Sequence, residues 1–294
     1  MDAADLKVFE AVARLGGMSR AAAELNTVQS NVTARIRVLE DELGTLLFHR
    51  HSRGVSLTDA GRRLLPYATR VKQTISDARK AVADDGEPSG PLTIGSLDST
   101  AALHLAPALS AYAGQYPKVD LVLRTGTTAE LIQDVLDHRV EGAFVCGPVE
   151  HPDLNEDVFF REELVVLTAR KVRRLDEQLI RDGMKIVVLR AGCSYRAMLE
   201  TMLARRGVTN LRHLEFGTFE AIYTCVGAGI GITLLPKAMT EKVWRDGRVA
   251  VHKLPPLEAR AETVFIRRRD AYVSGALDAF LRALRPTAIR AAAE

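Results

Sequence analysis

The chain has 294 residues, 47% hydrophobic and 26% charged, with a formal net charge of +3. That length suits roughly two or three compact units. The composition is ordinary for a globular chain, and so small a charge excludes any argument for nucleic acid from bulk electrostatics. No stretch is long and apolar enough for a membrane-spanning helix. The opening MDAADLK has no apolar signal core. Cys146, Cys193 and Cys225 stand in no metal-ligand spacing, so a reducing, cytoplasmic setting without disulfides, metal or cofactor is expected.

Residues 2–15 read as a first helix, with Leu6, Phe9 and Val12 on one face. Residues 18–40 read as two short helices with a tight turn. Ala21, Ala22 and Leu25 make a small apolar face, and Asn26 and Thr27 interrupt the helix because their side chains compete for backbone hydrogen bonds. Val28, Val32, Ile36 and Leu39 then recur at helical spacing. The opposite face carries Gln29, Ser30, Asn31, Thr33, Arg35 and Arg37. Amides, hydroxyls and guanidiniums in that pattern can bond to base edges and phosphates in a major groove. The same residues also fit a plain helical hairpin with a polar face.

Gly44 is placed to end the second helix. Leu46, Leu47 and Phe48 predict a short strand, 49–54 a basic turn containing Arg50 and Arg53, and 55–57 a returning strand: a wing. Thr58 reads as an N-cap for a long helix over 59–84. Its apolar positions, from Leu64 and Leu65 through Ala68, Val71 and Ile75 to Val82, form a stripe with little neighbouring chain to cover it. That favours a pairing surface over a plain connecting helix.

A Pro/Gly linker over 84–91 precedes an alternation of elements. Strands are predicted at 92–96, 119–124, 142–146, 164–168, 185–189, 213–216, 230–235, 249–254 and 263–267, with helices at 101–113, 129–138, 195–206, 219–226 and 273–284. This rhythm predicts a mostly parallel α/β arrangement in two subdomains. Four helices are preceded by polar loops: Asp98-Ser99-Thr100, Thr125-Gly126-Thr127-Thr128, Cys193-Ser194 and Gly217-Thr218. Thr127 and Glu130 have capping-box spacing. Each loop alone reads as a cap. Together they predict a cleft for a small polar or anionic ligand.

The order of these parts resembles a LysR-type transcriptional regulator over the full chain. Residues 5–61 carry the most specific match, and IGSLDSTAALHLAPAL, YPKVDLVLRTG and VGAGIGITLLP carry the remainder. The resemblance implies a winged helix-turn-helix over 1–58 and a linker and dimerisation helix over 59–87. A periplasmic-binding-protein-like regulatory module over 88–294 follows. Subdomain I would be 91–164 plus 266–294 and subdomain II 165–265, with crossings near Leu164 and Phe265. It implies promoter DNA as partner and a homodimer, assembling to a homotetramer. Gln29, Ser30, Thr33, Arg35, Arg37, Arg50 and Arg53 would meet DNA. Ser30 stands where the family commonly has proline. The co-inducer loops map onto Ser96 to Thr100, Thr125 to Thr128, Cys193 to Arg196 and Gly217 to Phe219, with Ser96, Ser99, Thr100, Thr125, Thr127, Thr128, Cys193, Ser194, Arg196, Thr218 and Phe219 as the contact residues.

Cys193 offers a second reading of the signal. A thiol at a helix N-terminus beside Arg196 should be acidified, and its loop resembles the reactive-cysteine loop of the family's peroxide sensors. The resolving cysteine of those sensors has no counterpart before Gly207. An enzyme is not expected. No nucleophile–base pair stands out, and the glycines at 227, 229 and 231 lead from helix to strand, the wrong order for a phosphate loop.

Overall fold

The computed structural model describes all residues except 52–53, 84–85, 177–182 and 292–294, and the side chains of 83 and 285–291 are likewise outside it. The chain divides into two units, Met1–Asp85 and Gly86–Glu294. Each is taken by itself.

In the first unit, α1 (Ala3–Leu15) starts on a capping box in which the Asp2 carboxylate accepts the Asp5 N–H at 2.8 Å and the Asp5 carboxylate accepts the Asp2 N–H at 3.1 Å. Helices α2 (Met18–Glu24) and α3 (Gln29–Leu43) follow, and α3 ends on Gly44 in the left-handed region. Phe9, Val12, Ala21, Val32, Ile36 and Leu39 are buried in one core with Leu47 and Phe48. Val28 departs from the expected stripe. It is the residue ahead of α3, outside the helical repeat, and is 65% exposed.

Strands β1 (Phe48–His51) and β2 (Gly54–Leu57) form an antiparallel ribbon with Phe48 opposite Leu57. His49, Arg50 and His51 lie in the strand instead of the expected turn, because pairing continues to His51 opposite Gly54. Thr58 caps α4 (Asp59–Ala83), its hydroxyl accepting the Gly61 N–H at 3.0 Å. Glycine is required at 61, since a Cβ there would lie 2.3 Å from the Leu47 carbonyl oxygen. Pro66 sits within α4 without ending it. The stripe on α4 is not uncovered along its whole length. Leu64, Leu65, Ala68 and Val71 pack on the winged core, whereas Ile75 is 38% and Val82 90% exposed. Glu10 on α1 is buried and accepts from Lys72 on α4 at 2.9 Å, which ties the two helices together.

The second unit starts with β3 (Gly90–Ser96). A helical run follows: α5 (Asp98–Thr100), a π-helical turn (Ala101–Leu105) and α6 (Ala106–Gln115). Next come β4 (Val119–Thr125), α7 (Thr128–Leu136), β5 (Gly142–Cys146) and a 16-residue strand, β6 (Leu154–Ala169). Then follow β7 (Lys185–Val188), α8 (Ser194–Arg205), β8 (Arg212–Glu215), α9 (Phe219–Gly227), β9 (Thr233–Pro236), α10 (Lys237–Arg245), β10 (Val249–Lys253), β11 (Arg260–Arg268) and α11 (Gly275–Ala291).

The main sheet runs β4-β3-β5-β11-β6-β10, with β9 also on β6. Strand β6 belongs to two groups. Its first part, Leu154 to Glu163, pairs with β11, and its last part, from Leu164, pairs with β9 and β10. The first group encloses an aromatic core of Phe144, Phe159, Phe160, Phe265 and Phe280. The second group, joined by the parallel pair β7–β8 through an Ile186–Ile232 bridge, buries Val165, Leu167, Ile186, Leu199, Ile222 and Leu234.

Three differences from expectation concern this unit. Among the described residues parallel strand pairs are β3–β4, β3–β5 and β7–β8, with one parallel bridge at Ile186–Ile232; β6, β9, β10 and β11 pair antiparallel, so the sheet is mixed. Strand β6 extends well ahead of 164, because β11 supplies a partner for a stretch that looks too charged to be a strand. All of β11 lies in the first group, so the chain re-enters that group at Arg260, ahead of Phe265.

Candidate functional site

The polar face of α3 is presented to solvent. Gln29, Ser30 and Asn31 are exposed, Thr33 is half-buried, and Arg37 is exposed with no hydrogen bond or ion pair among the described residues. Local bonds hold two of the amides: Ser19 Oγ donates to Gln29 Oε1 at 2.9 Å, and Asn31 Nδ2 donates to Thr27 Oγ1 at 3.0 Å. Arg35 is instead turned to Asp5, its Nη1 2.9 Å from the carboxylate, so that guanidinium also braces α3 on α1. Arg50 projects from β1 and contacts Glu40 at 3.4 Å. Arg53 lies outside the described residues.

Glu40 was not singled out by its sequence context, yet it organises the base of the wing. It is buried near the end of α3 and its Oε1 accepts the N–H groups of Leu47 at 2.8 Å and Phe48 at 3.2 Å. Its acidic neighbours make it look like a surface residue; only the chain folding back over it reveals the role.

In the second unit a cavity of about 270 Å³ lies at the carboxyl ends of β3, β4, β7 and β8. Parallel strands of both groups therefore converge on it, as the ligand sites of open α/β sheets do. Leu97, Asp98 and Ser99 come from the end of β3, and Thr125, Gly126 and Thr127 from the end of β4. Leu189 and Arg190 follow β7, Cys193, Ser194 and Tyr195 open α8, and Phe216, Gly217 and Phe219 follow β8.

Six of the expected residues thus line the cavity: Ser99, Thr125, Thr127, Cys193, Ser194 and Phe219. The other five lie behind or beside it. Ser96 is buried and donates to the Leu97 carbonyl at 3.0 Å. Thr100 is buried with its hydroxyl unpartnered, the one such side-chain atom among the described residues. Thr128 accepts from Ser194 Oγ at 2.9 Å and from the Cys146 N–H at 3.3 Å, which joins the two walls. Arg196 turns to Glu200 and Glu215. Thr218 caps α9 by accepting the Ala221 N–H at 3.4 Å. The Thr127–Glu130 capping box forms as spaced, and the Thr127 N–H holds the Glu130 carboxyl below the usual carboxylate range.

Leu97, Asp98 and Tyr195, which lie within the expected loops, also line the cavity, and Leu189, Arg190 and Phe216 line it from outside those loops. Tyr195 reads as an ordinary core aromatic, yet it joins a buried relay. Its hydroxyl donates to Glu162 Oε2 at 2.7 Å and lies 3.3 Å from Ser99 Oγ. The other Glu162 oxygen meets His104 Nε2 at 3.2 Å, and the His104 ring stacks on Phe160 with centroids 4.1 Å apart. Burial pushes the Tyr195 hydroxyl well above its ordinary pKa, so it keeps its proton.

The expected acidification of Cys193 does not hold. Burial pushes its thiol up and outweighs the lowering by the backbone N–H groups of Arg196 and Tyr195 and by the Arg196 charge. Cys146 is pushed further, to about 11. All three cysteines are free. No helix among the described residues is long and apolar enough to cross a membrane, and no described cluster of His, Cys, Asp or Glu could hold a metal.

Residues 3–62 match the model of bacterial regulatory helix-turn-helix proteins of the lysR family, and residues 85–288 match the LysR substrate binding domain. The HTH-type transcriptional regulator GltR of Bacillus subtilis is 43% identical over 280 residues, 95% of each chain. The uncharacterized HTH-type transcriptional regulator YusT of the same organism is 43% identical over 286 residues, 97% of this chain and 96% of that one. Among solved structures, a full-length OxyR variant from Pseudomonas aeruginosa superposes with a TM-score of 0.72 at 18% identity, covering 98% of this chain and 94% of that one. CbnR complexed with its target DNA gives 0.62 at 21% identity, covering 98% and 100%. At those identities the structures bear on the fold alone. Helix-turn-helix unit, substrate-binding module and relatives above 40% identity over nearly the whole length agree: the chain belongs to the LysR family of DNA-binding transcriptional regulators.

Proposed function

We propose that this regulator's affinity for promoter DNA is set by a small polar or anionic co-inducer held in the cavity of the second unit. The observation that carries this reading is the meeting of four loops from two strand groups around one cavity. A ligand touching both groups binds one arrangement of them better than another, and that difference is what a population shift requires. On the DNA side, Gln29, Ser30, Asn31 and Thr33 read base edges, while Arg35, Arg37, Arg50 and Arg53 hold phosphates. The chain pairs into a homodimer through the distal half of α4, where Ile75 and Val82 are exposed, and assembles further into a homotetramer in the cytoplasm.

The test is selection of binding sites from random duplex DNA by the full-length protein, followed by affinity measurements on the selected site with and without small carboxylates and amino acids. An enriched, interrupted inverted repeat whose affinity changes with one of these compounds is expected. A pool that stays random would overturn the promoter reading, and a selected site indifferent to every compound would overturn the co-inducer reading.

A further inference from the structure

We infer that the cavity of the second unit is polarised to take a small zwitterionic ligand, an α-amino acid with an apolar side chain, in preference to a simple carboxylate. The inference rests on the reading of this cavity as the co-inducer site and names the chemistry of its ligand.

Tyr195 has one hydroxyl proton, and it goes to Glu162 Oε2 at 2.7 Å. Glu162 is itself pinned from the other side by His104 Nε2 at 3.2 Å. The 3.3 Å contact between Ser99 and Tyr195 must therefore use the Ser99 proton, with the tyrosine oxygen accepting. Ser99 Oγ then has only lone pairs to offer the cavity that it lines. Its neighbour Asp98, also on the cavity wall, carries a carboxylate with no hydrogen bond or ion pair among the described residues. This wall accepts hydrogen bonds and is negative; it selects a cationic donor such as an ammonium group.

The facing loops are of opposite polarity. Arg190 brings a guanidinium, bound to Glu130 through one Nη2 contact at 3.3 Å and with no other side-chain hydrogen bond among the described residues. Helix α8 opens onto the cavity at Cys193, so the positive end of its dipole lies on this side, with the Tyr195 and Arg196 N–H groups facing the Cys193 sulfur. A bare carboxylate satisfies this side and leaves Asp98 and Ser99 facing it with like charge and lone pairs. An α-amino acid satisfies both sides. Leu97, Leu189, Phe216 and Phe219 supply apolar lining for an uncharged side chain.

The experiment uses calorimetry on the full-length protein with valine, leucine, methionine and phenylalanine, each beside its deaminated acid, its decarboxylated amine and its α-hydroxy acid. At least one amino acid is expected to bind, with its acid and amine each at least about 10-fold weaker. Asp98→Asn should weaken that amino acid by about 10- to 100-fold and leave the matched acid unchanged. Tyr195→Phe is the sharper variant, because it frees the Ser99 proton. It should narrow the preference for the amino acid over its hydroxy acid, a change that loosened packing alone does not produce. A matched acid that binds as tightly as the amino acid, indifferent to Asp98→Asn, would overturn the inference while leaving a ligand-gated regulator in place. A panel with no amino acid binding would overturn it too. An amino acid that binds without altering affinity for the selected DNA site would uphold the ligand class and remove the regulatory reading.

Discussion

Glu40 Oε1 accepts the backbone N–H of Leu47 at 2.8 Å from a nearly fully buried side chain, so the end of α3 and the start of the wing are joined by one carboxylate. Glu40→Ala removes the acceptor from two buried N–H groups and should destabilise the winged unit by about 2–4 kcal/mol, read by urea unfolding. Glu40→Gln keeps one acceptor oxygen and should cost less. Because the wing moves with this contact, DNA affinity should fall for all sequences alike. A change confined to one operator base would show that the carboxylate acts in readout.

On α3, Gln29→Ala and Arg37→Ala should separate. Gln29 is exposed and offers an amide for a base edge, so its loss should cost about 1–3 kcal/mol at one position of the selected site and relax discrimination there. Arg37 is exposed with no ion pair among the described residues, so its loss should weaken binding to every sequence and reduce the slope of log affinity against log salt by about one. Equal effects of the two on all sequences would mean that Gln29 touches phosphate only.

The distal half of α4 carries the prediction about assembly. Ile75 is 38% exposed in the single chain although it continues the stripe whose proximal members are covered. Ile75→Asp places a charge where an apolar partner face would sit and should drive the protein toward monomer in sedimentation equilibrium. The melting temperature of the winged unit should barely change, because Leu64, Leu65, Ala68 and Val71 still cover the core. An unchanged mass would move the pairing surface off this helix.

His252 makes stability depend on pH. Its Nε2 lies 2.8 Å from Thr168 Oγ1, and burial lowers its pKa below the ordinary 6.5. Thr168 donates its own proton to the Ala169 carbonyl at 3.2 Å, so the imidazole donates to Thr168 in either charge state and burial alone sets the shift. Between the folded and unfolded pKa values the unfolded chain holds more protons. Stability contributed by this residue is therefore full above about pH 6.5 and falls as the solution is acidified, levelling off below the folded pKa. His252→Gln should flatten that part of the melting-temperature profile between about pH 7 and 5.5. A parallel profile in the variant would assign the slope to other groups.

Cys193 should be a slow nucleophile. With its thiol pushed up by burial, it should react with iodoacetamide at neutral pH more slowly than free glutathione, since only the thiolate attacks. Peroxide should leave affinity for the selected DNA site unchanged in wild type and in Cys193→Ser. Rapid sulfenate formation at Cys193, seen by intact mass, would restore the thiol as the signal.

Local patterns in the sequence were enough for the winged unit. Val32, Ile36 and Leu39 share one helical face because three- and four-residue steps allow nothing else once the segment is helical, and Gly44, Thr58 and the Thr127–Glu130 pair carry their end signals within a few residues. Two of the polar loops were legible as caps, at Thr127 and Thr218; Asp98-Ser99-Thr100 is itself the start of the helical run, and Cys193 makes no side-chain cap. Long-range pairing decided the rest. The charged stretch LNEDVFFREE is a strand only because β11, about a hundred residues later, lies beside it. Glu40 and Tyr195 look like a surface acid and a core aromatic until the chain returns over them. The direction of the Ser99–Tyr195–Glu162 hydrogen bonds joins residues from three separate elements, and no local window contains it. Neighbours along the chain were enough for most helices and for the caps at Thr58, Thr127 and Thr218, though not for α10, which no local pattern announced. Tertiary structure alone decided which polar groups are buried together, and so the polarity of the cavity.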